Sequence, residues 1–408
     1  MNKTMLKKYA KAIIRIGANV QKGQHVIINS DINDIELVRY VVEEAYKAKA
    51  SKVSIEWSDS SITKSNYKYQ SIETLSNLPN WVIEKNKYQV ETLPCQIYIK
   101  SSDPDSLKGI DQGKVSTVRK NTYPILKEFR DAMDNKYQWT IVAAPSVNWA
   151  KKVFPNLSKK AAVKALWENI LKAARIDENN PIENWKKHNK YLKEKCDMLN
   201  NFNLHHLHFK SSNGTDLTLE IMPNTLFLGG GEYTLNGNYF NPNMPTEECF
   251  GMPNKYGVNG IVFASKPLSY NGELIEDFSI RFEKGKAVEV HAKKGEELLK
   301  EMISMDEGAA YLGEVALVPY NSPISLSNVL FYNTLFDENA SCHLALGRAF
   351  TNNIKDYESM TAEQINNFEM NRSMIHVDFM IGTKDMEITG VDNNGNTIEI
   401  FKNGNWAF

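Results

Sequence analysis

The chain changes its hydrophobic period part-way along, and that change limits its fold more than any other feature. Up to about residue 200, short β-branched runs alternate with stretches whose apolar residues recur at helical spacing. Leu6 to Ile16, Ile35 to Ala48, Lys159 to Arg175 and Ile182 to Leu199 carry the helical pattern. The runs His25 to Asn29, Ser51 to Trp57, Gln96 to Ile99 and Trp139 to Ala144 read as strands. This βαβ rhythm predicts an α/β N-terminal domain with a mainly parallel sheet covered by helices.

From Leu204 onward the period becomes two, and the runs are punctuated by Asn213-Gly214, Asn271-Gly272, Lys284-Gly285 and Asn394-Gly395. Such pairs supply the positive φ values that tight hairpins need, so the second half is expected to be an α+β C-terminal domain built on antiparallel sheet. A helix is expected at Glu296 to Ile303 and another at Cys342 to Phe350, the second capped by Ser341 or Asn339. The polar stretch Leu199 to Asn203 places the domain boundary so that residues 1–200 form the scaffold and residues 201–408 the second domain.

Composition excludes several classes of function. Forty-eight basic residues stand against forty-nine acidic ones, so the sequence has no electrostatic footprint for nucleic acid or an anionic membrane. No apolar run approaches the length of a membrane span, and the opening residues lead into an amphipathic helix rather than a signal peptide, which points to a cytoplasmic protein. Cys95, Cys196, Cys249 and Cys342 lack any C-x-x-C spacing, as expected of reduced, half-buried thiols. No glycine-rich phosphate loop follows a strand, so nucleotide binding has no support.

The chemistry-bearing residues lie in the second half. In Ser373 to Met380 the side chains alternate, so His376 and Asp378 share one face of a strand and present a nitrogen and an oxygen ligand side by side. Upstream, Glu247 and Glu248 follow Pro245, Glu314 sits at the mouth of an apolar strand, and Glu338 and His343 lie five residues apart. His205, His206 and His208 are better explained as the polar face of a strand. Taken together, two imidazoles and four carboxylates (one of the Glu247/Glu248 pair, Glu314, Glu338, Asp378) carry a charge of −4, which two divalent cations would neutralise. Mixed nitrogen and oxygen ligation without thiolate suits zinc, cobalt or manganese, and twin metals are a known means of activating water.

At these residues the sequence resembles the M29 metallo-aminopeptidases, the aminopeptidase T, aminopeptidase S and PepS group. The likeness rests on Asn243 to Glu248, Asp306 to Val318, Glu338 to Gly347 and His376-Val377-Asp378, in that order and spacing, and it spans essentially the whole chain. The resemblance implies metal ligands at Glu248, Glu314, Glu338, His343, His376 and Asp378, with Glu314 bridging two divalent ions per subunit, zinc or cobalt in the first instance. It also implies a homodimer, a metal site held in the C-terminal domain, and hydrolysis of the first peptide bond of peptides with a free N-terminus. Glu247 is the candidate for moving a proton to the leaving amine. A two-metal phosphoesterase and a peptide-binding protein that has lost turnover stand as alternatives. Two positions depart from the family pattern. Phe350 stands where a tyrosine is usual, and Ala310 where an arginine is common. If the missing phenol stabilises the tetrahedral intermediate, its loss would cost on the order of a hundredfold in rate.

Overall fold

The computed structural model describes residues 2–101, 103–176 and 180–408. The chain divides into two compact units, one of residues 1–187 with 231–245 and one of residues 188–230 with 246–408.

The first unit is α/β. Its four strands are parallel and lie in the order Lys52–Ser58, His25–Asp31, Cys95–Lys100, Trp139–Ala143. Register is set by rows of β-branched side chains, with Val26 opposite both Val53 and Cys95 and Ile28 opposite both Ile55 and Ile97. Helices join these strands as the sequence pattern requires. The N-terminal helix Lys3–Ala12 is capped by the Asn2 side chain, which accepts from the Thr4 amide at 2.9 Å. Tyr9, Ile13, Val26, Ile28, Ile97, Val142 and Leu166 are fully buried and form the centre of the unit.

The second unit is antiparallel. A nine-stranded sheet has Leu204–Lys210 between Asp216–Ile221 and Glu387–Asp392. The predicted hairpins are present: Asn271-Gly272 and Lys284-Gly285 both take positive φ at successive positions, as tight turns between twisted strands demand. The helix Glu296–Ile303 forms where its periodicity places it.

A smaller four-stranded sheet has the order His376–Met380, His343–Gly347, Leu312–Leu317, Cys249–Gly251, all antiparallel. Here one expectation fails. Cys342 to Phe350 is not a helix, because His343–Gly347 is a buried strand paired on both sides. Its alternation of Leu344 and Leu346 with His343 and Ala345 has a period of two, and two ladders of backbone hydrogen bonds outweigh the helix propensity of Ala and Leu. Nor does Asn339 or Ser341 cap anything there: Glu338–Ala340 is a single 3-10 turn and Ser341 is extended.

The small sheet has two unlike faces. Val315, Leu317, Leu344, Leu346, Val377 and Phe379 point into the apolar core of the unit. At about 25 cal/mol per Å² of apolar surface, burying such rows is what holds the sheet rigid. The opposite face carries the polar cluster.

Candidate metal centre

Strand register gathers the polar face. Glu314 pairs with Ala345, which pairs with Asp378, while Gly347 pairs with His376. Side chains at these positions and at His343 project to one side, and the small Ala345 and Gly347 between them leave room. Glu248 enters at the edge, immediately before the strand Cys249–Gly251.

Two groups of possible ligands result, each with donor atoms within 4.8 Å of one another: Glu248, Glu314 and His343, and Glu314, His376 and Asp378. His343 Nε2 lies 3.2 Å from Glu248 Oε2 and 3.5 Å from Glu314 Oε1. His376 Nε2 lies 3.6 Å from Glu314 Oε2 and 3.3 Å from Asp378 Oδ1. Glu314 therefore belongs to both groups, one oxygen in each.

The far ring nitrogens are held by the backbone. His376 Nδ1 is 2.7 Å from the Arg348 carbonyl and His343 Nδ1 is 3.2 Å from the Ser341 carbonyl. A carbonyl only accepts, so both rings carry a proton on Nδ1 and turn Nε2 towards the cluster, the orientation typical of metal-ligating histidines.

The charge is unbalanced. Burial, with Asp378 and Glu248 adding repulsion, pushes the Glu338 carboxyl well above the usual carboxylate range. Burial also raises Glu314. Burial works against Asp378 too, yet the adjacent His376 holds its carboxyl below the ordinary value. Against the same cost of burial, Asp378 draws the His376 imidazole up to about 9. Buried carboxylates at this density are costly unless cations share the site, and the mixed nitrogen and oxygen donors present fit borderline divalent ions.

Two expected residues stand apart from these groups. Glu338 is buried and electrostatically close to Asp378, Glu248 and Glu314, but it is in neither close group. Its Oε1 accepts from Asn339 Nδ2 at 3.3 Å. Glu247 turns to the other side, its Oε2 3.8 Å from His188 Nε2. Phe350 packs on His376 with ring centroids 4.6 Å apart, and the Arg348 guanidinium lies 5.3 Å from the Phe350 centroid. Ala310 is buried in the core cluster.

Other sequence candidates take structural roles. Burial pushes the Cys342 thiol up to about 12, so it is not a nucleophile at neutral pH. The histidines of Leu204–Lys210 are surface residues, and His208 pairs across the hairpin with Asp216 at 2.8 Å, a carboxylate that sequence spacing did not connect with it. Sequence reasoning also missed His188 and the true role of Asn339. Both act on backbone atoms far away along the chain, which leaves no local signal.

With this geometry in view, the comparisons decide the family. The model of the thermophilic metalloprotease family M29 matches residues 2–406. The chain belongs to the M29 family. It is 44% identical over 404 residues to aminopeptidase AmpS of Bacillus subtilis, covering 99% of this chain and 98% of that one. It is 40% identical to aminopeptidase 2 of Geobacillus stearothermophilus, with the same coverage. The solved structure of wild-type AmpT from Thermus thermophilus superposes with a TM-score of 0.91 at 37% identity, over 100% of both chains. The M29 relatives named here are thus aminopeptidases, and the α/β and antiparallel architecture predicted from the sequence is that of AmpT.

Proposed function

We propose that this M29 chain is an aminopeptidase that hydrolyses the first peptide bond of peptides at a dinuclear centre. The observation that carries this reading is the shared carboxylate, Glu314, between two imidazole-containing groups. In this assignment Glu248, Glu314 and His343 hold one ion and Glu314, His376 and Asp378 the other, with Glu338 completing the set. Bound zinc or cobalt, or alternatively manganese, would supply Lewis-acid activation of a water and polarisation of the scissile carbonyl.

The protein's own residues account for the remaining requirements. Arg348 and Ser341 carbonyls fix the tautomers of His376 and His343, so the ligands are ordered before substrate arrives. Acceptance of the substrate's terminal amine beside acidic groups of the site would restrict cleavage to the first residue. Glu247, the acid–base candidate from the sequence, is directed at His188 and away from both groups, so the proton for the leaving amine is better supplied by a group that faces the cluster.

We also assign the exposed apolar surface of the first unit to a homodimer contact. Ile62, Tyr69 and Trp81 are 61%, 76% and 67% exposed, and the helices Ser60–Tyr69 and Ile72–Ser76 bury no residue. A surface of this kind is characteristic of protein association.

Protein stripped with chelator and resupplied with cobalt or zinc should hydrolyse amino-acid arylamides and leave N-acetylated analogues and phosphomonoesters intact. Full activity of the chelated protein, or cleavage confined to phosphomonoesters, would overturn the assignment.

A further inference from the structure

Two successive glutamates meet the cluster, and only the second faces it. Glu248 Oε2 is 3.2 Å from His343, whereas Glu247 Oε2 is directed at His188. The peptide unit that joins Thr246 to Glu247 explains the difference. Its carbonyl oxygen, on Thr246, accepts from His188 Nε2 at 2.7 Å. Its amide, on Glu247, donates to Asn339 Oδ1 at 2.6 Å.

Both partners are buried, His188 at 8% exposure and Asn339 at 0%. Their chemistry is fixed by what they touch. A carbonyl only accepts, so the His188 proton sits on Nε2. A backbone amide only donates, so the oxygen of the Asn339 amide faces Glu247. That orientation turns Asn339 Nδ2 towards Leu335 O at 3.0 Å and Glu338 Oε1 at 3.3 Å. The Asn339 carbonyl in turn accepts from Ser322 Oγ at 3.1 Å.

We infer that His188 and Asn339 are positioning residues that clamp the Thr246–Glu247 peptide plane from both ends, and so determine that Glu248 rather than Glu247 is offered to the metal centre. This peptide unit flanks Glu247 directly and lies one residue before Glu248, so holding it at both ends fixes the direction of Glu247 and the path by which the chain delivers Glu248. Asn339 has a second effect. By contacting the Glu247 amide and the Glu338 carboxylate at once, it couples the loop before Cys249 to the turn that carries Glu338. The inference rests on the reading of Glu248 as a ligand.

Zinc affinity, measured by competition with a chromogenic chelator, tests it without reference to peptide hydrolysis. His188→Ala and Asn339→Ala should each weaken zinc binding by about 10- to 100-fold, the scale on which outer-shell partners of metal ligands act. Because both hold one peptide unit, the double variant should bind no more than about threefold more weakly than Asn339→Ala alone, since groups acting as one unit do not add. His188→Gln, which keeps an N–H donor, should recover most of the loss. Melting of the metal-free proteins identifies any variant that fails to fold, and if Asn339→Ala does so the His188 pair decides alone. Zinc affinity within twofold of the parent in His188→Ala, fully additive losses, or no recovery in His188→Gln would each overturn the clamp. Glu248→Gln separates the two readings: if that variant keeps parental zinc affinity, the ligand assignment itself fails, whereas if it loses zinc while His188→Ala does not, only the clamp fails.

Discussion

Glu314 presents Oε1 to His343 at 3.5 Å and Oε2 to His376 at 3.6 Å, and these two imidazoles share no other close carboxylate in the groups described. A single side chain on the central part of the small sheet therefore joins two ligand sets. Glu314→Gln keeps the shape and removes the charge. It should lower arylamide kcat by at least about 100-fold, the scale of deleting one preorganised electrostatic group, and reduce bound metal below two ions per chain. Elemental analysis beside the kinetics checks both. Parental activity in this variant would exclude Glu314 from the chemistry.

The ring of Phe350 lies against His376 with centroids 4.6 Å apart and planes inclined at 50°. No polar atom of that side chain can assist at the centre. Phe350→Tyr adds a hydroxyl at the far end of a ring that also packs edge-on with Phe250. If that hydroxyl reaches the tetrahedral intermediate, kcat rises by about 10- to 100-fold while KM changes little, because the new hydrogen bond is made mainly in the transition state. Steady-state kinetics on an amino-acid arylamide decides, and an unchanged kcat would mean that the site does not depend on a donor at this position.

Much of this site could be read before any coordinates. His376 and Asp378 are legible because two residues on one strand face need only local alternation to become neighbours. Hairpin turns such as Asn271-Gly272 are legible for the same reason. His343 reads as helical in the sequence because Ala345, Leu346 and the capping types at Asn339 and Ser341 satisfy helix rules locally, and pairing with two other strands overrides them. Glu314 lies in both groups by virtue of register with Ala345 and Asp378, which no single segment encodes. The choice between Glu247 and Glu248 is set by His188, 58 residues away, and Asn339, 92 residues away. Sequence spacing has no access to such contacts. Likewise, composition does not signal that residues 231–245 return to the first unit.

Metal removal should be visible in stability as well as in rate. The buried Glu314 and Glu338 carboxyls are raised by burial, and Glu248 and Asp378 repel them. Ions that bind only the folded chain stabilise it by about 2.7 kcal/mol at a hundredfold excess over Kd. For a unit of this size that corresponds to roughly 5–10 °C in melting temperature. Calorimetry with and without chelator should show this difference, and the Glu314→Gln variant should show much less of it. Equal melting of stripped and loaded parent protein would count against tight binding.

A pH-dependent contribution to stability is expected in the first unit, at Asp34. Asp34 is buried at 6% exposure, and its Oδ2 accepts from Ser30 Oγ at a long 3.4 Å. Burial, with Asp31 adding repulsion, raises its carboxyl to about 7, although hydrogen bonds oppose the rise. In the unfolded chain an aspartate titrates near 3.9. The folded state therefore holds the proton more tightly, and between these two values it binds more protons than the unfolded state does. Stability from this group is fully present below about pH 4, falls as pH climbs towards 7 and is lost above it, with an upper limit of about 4 kcal/mol across the window. Asp34→Asn keeps a polar side chain of the same shape and cannot ionise. Urea unfolding of the parent should thus weaken between pH 4 and 7 by more than that of Asp34→Asn, with the variant the more stable of the two at pH 8. Parallel pH dependence in the two proteins would show that Asp34 is ionised in the folded chain throughout.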